Sequence, residues 1–224
     1  MIQLRDLALG APEGRLLMDG LDLIVPKGGN LLVTGPSGCG KSRLLKVLAG
    51  AERPARGQVA IHGRPIWPGG GALALIGQTR VGFAFATGGL LSNLSLWENV
   101  ALPLRFLGLP SASLRTRVEG ALEGLGLLPV AGLRPHAVSA SARRHANLAR
   151  VSALAPELIL LDDPLEGLDT ADQALAMDLI QAWAADRACT LVIAAEDPHS
   201  FPYLEAERLQ LPRGLETQEP LEPR

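Results

Sequence analysis

The stretch that most limits what this chain can fold into is "GPSGCGKS", Gly35 to Ser42. It satisfies G-x-x-x-x-G-K-[ST] in full. It also lies between "NLLVTG", which reads as a short apolar strand, and "SRLLKVLAG", whose spacing is helical with a glycine at its end. Gly35, Gly38 and Gly40 let the backbone curl so that its N–H groups face a phosphate chain, and the following helix adds the positive end of its dipole. Lys41 is expected to reach the β/γ-phosphates and Ser42 to bind Mg²⁺, with Pro36, Ser37, Cys39 and Arg43 completing the nucleotide-binding run. The bland alternative is a Gly-rich turn that happens to precede a helix. It leaves the Lys-Ser pair in register unexplained, so a nucleoside-triphosphate site is the reading adopted.

Around this cradle the chain reads as an α/β core. "IQLRDLAL" and "LDLIVP" alternate like strands, "GQVAIHG" and "TRVGFAF" read as two more, and strand signals return in "ELILLDD" and "CTLVIAA". Between Ser92 and Ala155 the pattern is helical, in "LWENVALPLRFL", "SLRTRVEGALEGL" and "SARRHANLARVSALA". A further helix before Cys189 places Leu175, Leu179, Ala182 and Trp183 on one face. The expected fold is a P-loop NTPase: a parallel sheet, an antiparallel β subdomain and an inserted α-helical subdomain. One domain is expected over 1–212, with its helical part at about 90–155 and a short acidic tail over 213–224. With 224 residues, 47% of them hydrophobic, the chain can bury a sizeable core. Its net charge of -2 argues against a general nucleic-acid binder. No apolar run approaches a bilayer span, so a cytoplasmic chain held at the membrane by something else is expected. The two cysteines and four histidines show no metal-ligand spacing.

Beyond the phosphate loop, the order of segments resembles the ATP-binding cassette (ABC) family. "LILLDDP" resembles the Walker B strand, which makes Asp162 the Mg²⁺ partner, and "EGLDT" resembles the D-loop with Asp169. "VSASARRHANLARVSALAPE" stands where the family has its signature motif and helix, and "VGFAFATGGLLSNLSLWENVALPLRF" resembles the Q-loop segment. "TLVIAAEDP" occupies the switch strand. Within the family, "GGLLSNLSLWENVALPLRF" is most similar to importer-type cassettes of the Mla and Mce-linked phospholipid transporters. The resemblance implies ATP and Mg²⁺ as ligands and two cassettes, homo- or heterodimeric, facing head to tail. It further implies a membrane permease whose cytoplasmic coupling helix docks in a groove beside the Q-loop.

Four positions depart from the family pattern, all of them touching hydrolysis. The Q-loop glutamine is Ala86, which offers no side-chain hydrogen bond. The signature reads Val138, Ser139, Ala140, Ser141, Ala142, with both glycines replaced; a positive φ at Ala140 or Ser141 would be strained. The general base, a glutamate in the family, is Asp163, its carboxylate set back by roughly one C–C bond, ~1.5 Å. A misplacement of about 1 Å can cost on the order of 10²-fold in rate. Glu196 stands in place of the switch histidine, putting an anion where a donor would meet γ-phosphate. The catalytic candidates are therefore Asp163, Glu196 and Ala86 as degenerate positions, and the signature candidates are Ser139, Ala140 and Ser141. Together they favour a cassette that binds ATP and hydrolyses it slowly. The alternatives are a working ATPase with an unusual site, and a structural or regulatory subunit clamped by ATP.

Other residues carry blander readings. Arg143, Asn147 and Arg150 fall on one face of the signature helix and suit a solvated or interface face. Cys39 suits a small filler in the loop, and Trp97 divides evenly between core and permease groove. "GAPEGR" supplies no aromatic to stack on adenine.

Overall fold

A computed structural model describes residues 2–11, 14–75, 78–86 and 89–212. The acidic tail expected over 213–224 lies outside the described residues, as do Pro12 and Glu13 of "GAPEGR" and Thr87 and Gly88 beyond Ala86. Among the described residues, nine strands and five α-helices follow in the order β1 (Ile2–Gly10), β2 (Leu16–Val25), β3 (Asn30–Thr34), α1 (Lys41–Leu48), β4 (Arg56–Ile61), β5 (Arg64–Trp67) and β6 (Val81–Ala84). After these come α2 (Leu96–Phe106), α3 (Ser111–Glu123), α4 (Ala140–Leu154), β7 (Leu158–Asp162), α5 (Thr170–Ala185), β8 (Thr190–Ala195) and β9 (Glu207–Gln210). A parallel sheet runs in the order β6-β7-β8-β3-β9, and an antiparallel sheet in the order β2-β1-β4-β5.

Continuous apolar runs explain why β7, β8 and β3 take the centre of the parallel sheet, since both of its faces are covered. Leu158 and Leu160 of β7, Val192 and Ala194 of β8, and Leu31 and Val33 of β3 point to one cluster, shared with α1 and the antiparallel sheet. The alternate residues Ile159, Leu161, Leu191, Ile193 and Leu32 enter the other cluster, with residues of α2 to α5. A period of two thus splits each strand between two cores. In register, Asp162 lies beside Ala194 and Thr34 beside Ala195. The segments leaving β3, β7 and β8 therefore emerge together at one edge, the place where open parallel sheets bind ligands.

In the helical block, α2 starts with a reciprocal cap. Ser95 Oγ accepts from the Glu98 amide, and the Glu98 carboxylate accepts from the Ser95 amide and hydroxyl. Asn99, buried on the same helix, accepts from the Leu91 amide and donates to the carbonyls of Leu91, Leu94 and Ser95, pinning the loop that precedes α2.

Two strands escaped the sequence reading, β5 and β9. Both are four-residue edge strands, "RPIW" and "ERLQ", too short and too polar to show alternation. The α5 face also differs from expectation. Ala176 and Ile180 are the buried residues, while Leu175 is 41% exposed and Ala182 is exposed. Leu179 and Trp183 of the expected stripe are half-buried and pack against the same core, so the buried face is turned by about one position.

Candidate nucleotide site

Gly35 and Gly40 carry the conformations that shape the loop after β3. Gly40, the residue before α1, sits at φ 105, a region that costs an L-residue with a Cβ. At Gly35, a Cβ would lie 2.7 Å from the Leu211 carbonyl and 2.9 Å from Cys39 Sγ. Cys39 is buried there, which agrees with the filler reading. Lys41 opens α1 and is only 6% exposed; its Nζ donates to the carbonyls of Gly35 at 2.7 Å and Pro36 at 3.2 Å. Ser37 and Gly38 lie on the outward rim of the loop, and Arg43 binds Glu52 and the Gly10 carbonyl.

Ser42 Oγ donates to Asp162 Oδ1 at 2.9 Å, joining α1 to the end of β7. Burial raises the Asp162 carboxyl above the ordinary range, against lowering by Ser42, Lys46, the Ala86 amide and Lys41. Ala86 thus bears on the site through its main chain, its amide helping to lower the Asp162 pKa and its carbonyl accepting from Arg144.

Asp163 follows with φ 44, a left-handed conformation that Asp tolerates better than most residues. Its amide donates to the Ala194 carbonyl at 2.9 Å, and its Oδ1 accepts from the Glu196 amide at 3.1 Å. The short carboxylate therefore caps the end of β8. Burial raises its pKa; Lys41 and the Glu196 amide lower it, and Asp162 and Glu166 raise it. Glu196 itself is exposed and, with Asp163, Glu166 and Phe201, lines a cavity of about 340 Å³.

At the start of α4, Ser139 has φ -62 and ψ 165 and its hydroxyl accepts from the Ala142 amide at 3.0 Å. Ala140 and Ser141 form the first turn of this helix and neither has a positive φ. The strain that would have followed from lost glycines is absent at both positions. Asp169 caps α5 in the same way, accepting from the Asp172 amide at 2.9 Å.

The arginines of α4 do not form a solvated face. Arg144 donates to the carbonyls of Ala86 and Asp163, and Arg150 to the Gly89 carbonyl and to Asn147 Oδ1. Arg143 donates to the carbonyls of Pro135 and Val138. Asn147 and His145 are buried, and His145 Nε2 lies 3.0 Å from the Asp172 carbonyl. Trp97 is half-buried against the core of the helical block, in line with the core reading, borders a cavity of about 480 Å³, and has the Arg105 guanidinium over its ring, 5.7 Å from the centroid.

The family description "ABC transporter" matches residues 18–166, which include the phosphate loop, Ala86, α4 and the Asp162–Asp163 pair. The chain belongs to the ABC transporter family. The cassette is 31% identical over 211 residues to the intermembrane phospholipid transport system ATP-binding protein MlaF of Haemophilus influenzae, covering 91% of this chain and 80% of that protein. It is 32% identical over 188 residues to the lipoprotein-releasing system ATP-binding protein LolD of Chromohalobacter salexigens, covering 84% and 79%. The dimeric structure of MJ0796, a bacterial ABC transporter cassette, superposes with a TM-score of 0.88 at 25% identity, covering 96% of this cassette and 95% of that chain.

Proposed function

We propose that this cassette is the nucleotide-binding subunit of a lipid-directed transporter, that it binds Mg-ATP at the loop Gly35 to Arg43, and that its own hydrolysis is slow. The observation that carries the slow-hydrolysis reading is the bond from the Glu196 amide to Asp163 Oδ1. A carboxylate oxygen committed to capping β8 is a poor acceptor for the proton of an attacking water, and its reach is already short. Ala86 adds no side-chain donor, and Glu196 adds negative charge beside the same cavity.

Ser42 and Asp162 fit Mg²⁺, since a hydroxyl and a carboxylate 2.9 Å apart are the hard oxygen donors this ion selects. When bound, Mg²⁺ supplies charge neutralisation at the β- and γ-oxygens. Lys41 adds a fixed positive charge over the loop, and the α1 amides supply donors to phosphate.

A lipid-related cargo is supported by two relatives, MlaF, named for intermembrane phospholipid transport, and LolD, named for lipoprotein release. Among the described residues no helix is long and apolar enough to cross a membrane, so a permease would provide the membrane path. A groove of about 970 Å³, lined by Leu75, Leu102, Pro103, Phe106, Leu107 and Leu154, suits a coupling helix from that permease. Phe106 is 79% exposed on its rim. Two cassettes facing head to tail would present Ser139 and the start of α4 to the partner's nucleotide; that the fold neighbour is a dimer supports pairing as such.

ATP binding and phosphate release measured together on the purified chain, alone and with its permease, test this reading. Binding lost in Lys41→Ala, with turnover that rises at least tenfold in the triple variant Asp163→Glu, Glu196→His, Ala86→Gln, is the expected outcome. Fast turnover in the native chain that the triple variant does not improve would overturn slow hydrolysis.

A further inference from the structure

Arg144 is the side chain in the second turn of α4 that joins three separate segments. Only 15% of it is exposed. Its Nη1 donates to the Ala86 carbonyl and, at 3.3 Å, to the Asp163 carbonyl, and its Nη2 lies 3.7 Å from Glu166 Oε2. Asp163 directly follows Asp162, whose carboxylate accepts from Ser42, and the Ala86 amide helps lower the Asp162 pKa. One guanidinium thus holds two carbonyls, one of them on the residue next in the chain to the magnesium-side carboxylate. A planar fork with five donors can serve these acceptors at once, whereas an ammonium is a single point charge.

We propose that Arg144 is a positioning residue that couples α4 to Asp162 through the main chain of Ala86 and Asp163, so that its grip sets how strongly Mg²⁺ supports nucleotide binding. Arg144 acts through Ala86 and the turn at Asp163. The proposal rests on the reading of Ser42 and Asp162 as the Mg²⁺ pair. It also gives α4, whose N-terminus begins at Ser139, a direct mechanical link to the chain's own site: a shift of the helix moves Ala86 and Asp163 together.

The test is the affinity of the full chain for the non-hydrolysable analogue AMP-PNP, titrated in Mg²⁺ and again in EDTA, so that turnover plays no part. Native chain, Arg144→Ala and Arg144→Lys are compared by the ratio of the two Kd values. The expected result is a Kd in EDTA within twofold of native for both variants. The Mg²⁺ enhancement should fall at least tenfold in Arg144→Ala and at least threefold in Arg144→Lys. Equal weakening in both media, with the ratio preserved, would mean that Arg144 merely supports the fold and would overturn the proposal. Should Arg144→Ala fail to fold, Arg144→Lys decides alone, and a native ratio in it overturns the proposal. If the native chain shows no Mg²⁺ enhancement, the Ser42–Asp162 reading falls and takes this proposal with it. An enhancement that is present in the native chain and unmoved in the variants removes Arg144's role only.

Discussion

Asp163 shows how one shortened side chain changes its partner as well as its reach. At φ 44 the residue turns its Oδ1 onto the Glu196 amide, so the carboxylate closes the end of β8. If capping is its structural task, Asp163→Asn keeps an acceptor oxygen and should leave the urea midpoint near native, while Asp163→Ala should lose about 1 kcal/mol. A midpoint shift of equal size in both variants would mean that charge, and not the acceptor, matters there. From sequence alone the shortened reach of Asp163 could be read, because it follows from residue identity. Its bond to Glu196 could not, because that depends on two strands being neighbours in register, which no local pattern records. The same holds for Arg144 and Arg150, whose acceptors are main-chain carbonyls about sixty positions away.

Among the elements, α2 was legible because its signals are local. Ser95 and Glu98 stand at the spacing of a capping box directly ahead of an apolar run, and the structure makes both reciprocal bonds. The two bonds, first from the Ser95 amide and then from its hydroxyl, lower the Glu98 carboxyl below the ordinary glutamate range. A group whose folded pKa is depressed stabilises the fold fully above its unfolded pKa and loses that contribution as pH falls through the folded value. Denaturation midpoints followed from neutral pH into the carboxylate range should therefore drop on acidification less steeply in Glu98→Gln than in the native chain. Parallel curves would show that the ionised carboxylate contributes nothing to the cap. By contrast, the α5 stripe was misplaced because alanines and leucines occupy most of its turns. Periodicity then gives several faces of similar weight, and only the sheet decides which one is buried.

Across the whole molecule, the alternating strands β3, β7 and β8 hold two cores on opposite faces of one sheet, so loosening either core exposes the other. The two cysteines report on this. Cys189 is buried and its thiol is pushed up to about 12, by burial first and then by Asp186 and Glu157. Cys39 is buried under the phosphate loop beside Gly35 and Leu211. Thiolate is the reactive form, so alkylation of Cys189 near neutral pH should proceed only through opening of the fold. Mass spectrometry of iodoacetamide-treated protein should show Cys189 labelling that rises with urea in step with global unfolding. Adding Mg-ATP should slow labelling of both cysteines, since a ligand bound only to the folded chain lowers the open population. Rapid labelling in native buffer would mean that the β8 end of the sheet opens on its own. Class and layering at this scale were visible in the sequence, since apolar runs feeding a glycine loop and a helix leave few other arrangements.

Ala86 stands out last because it meets the site through its main chain, its carbonyl accepting from Arg144 and its amide helping to lower the Asp162 pKa. For nucleotide binding, as opposed to turnover, such a position is indifferent to the identity of its side chain. Any residue with a free N–H supplies the same two connections, and proline alone withholds one. A saturation library at this codon, sorted by binding of a fluorescent ATP analogue, should therefore read almost flat with a single trough at proline. A comparison that counts letters would score the site as lost, whereas its main chain still meets Arg144.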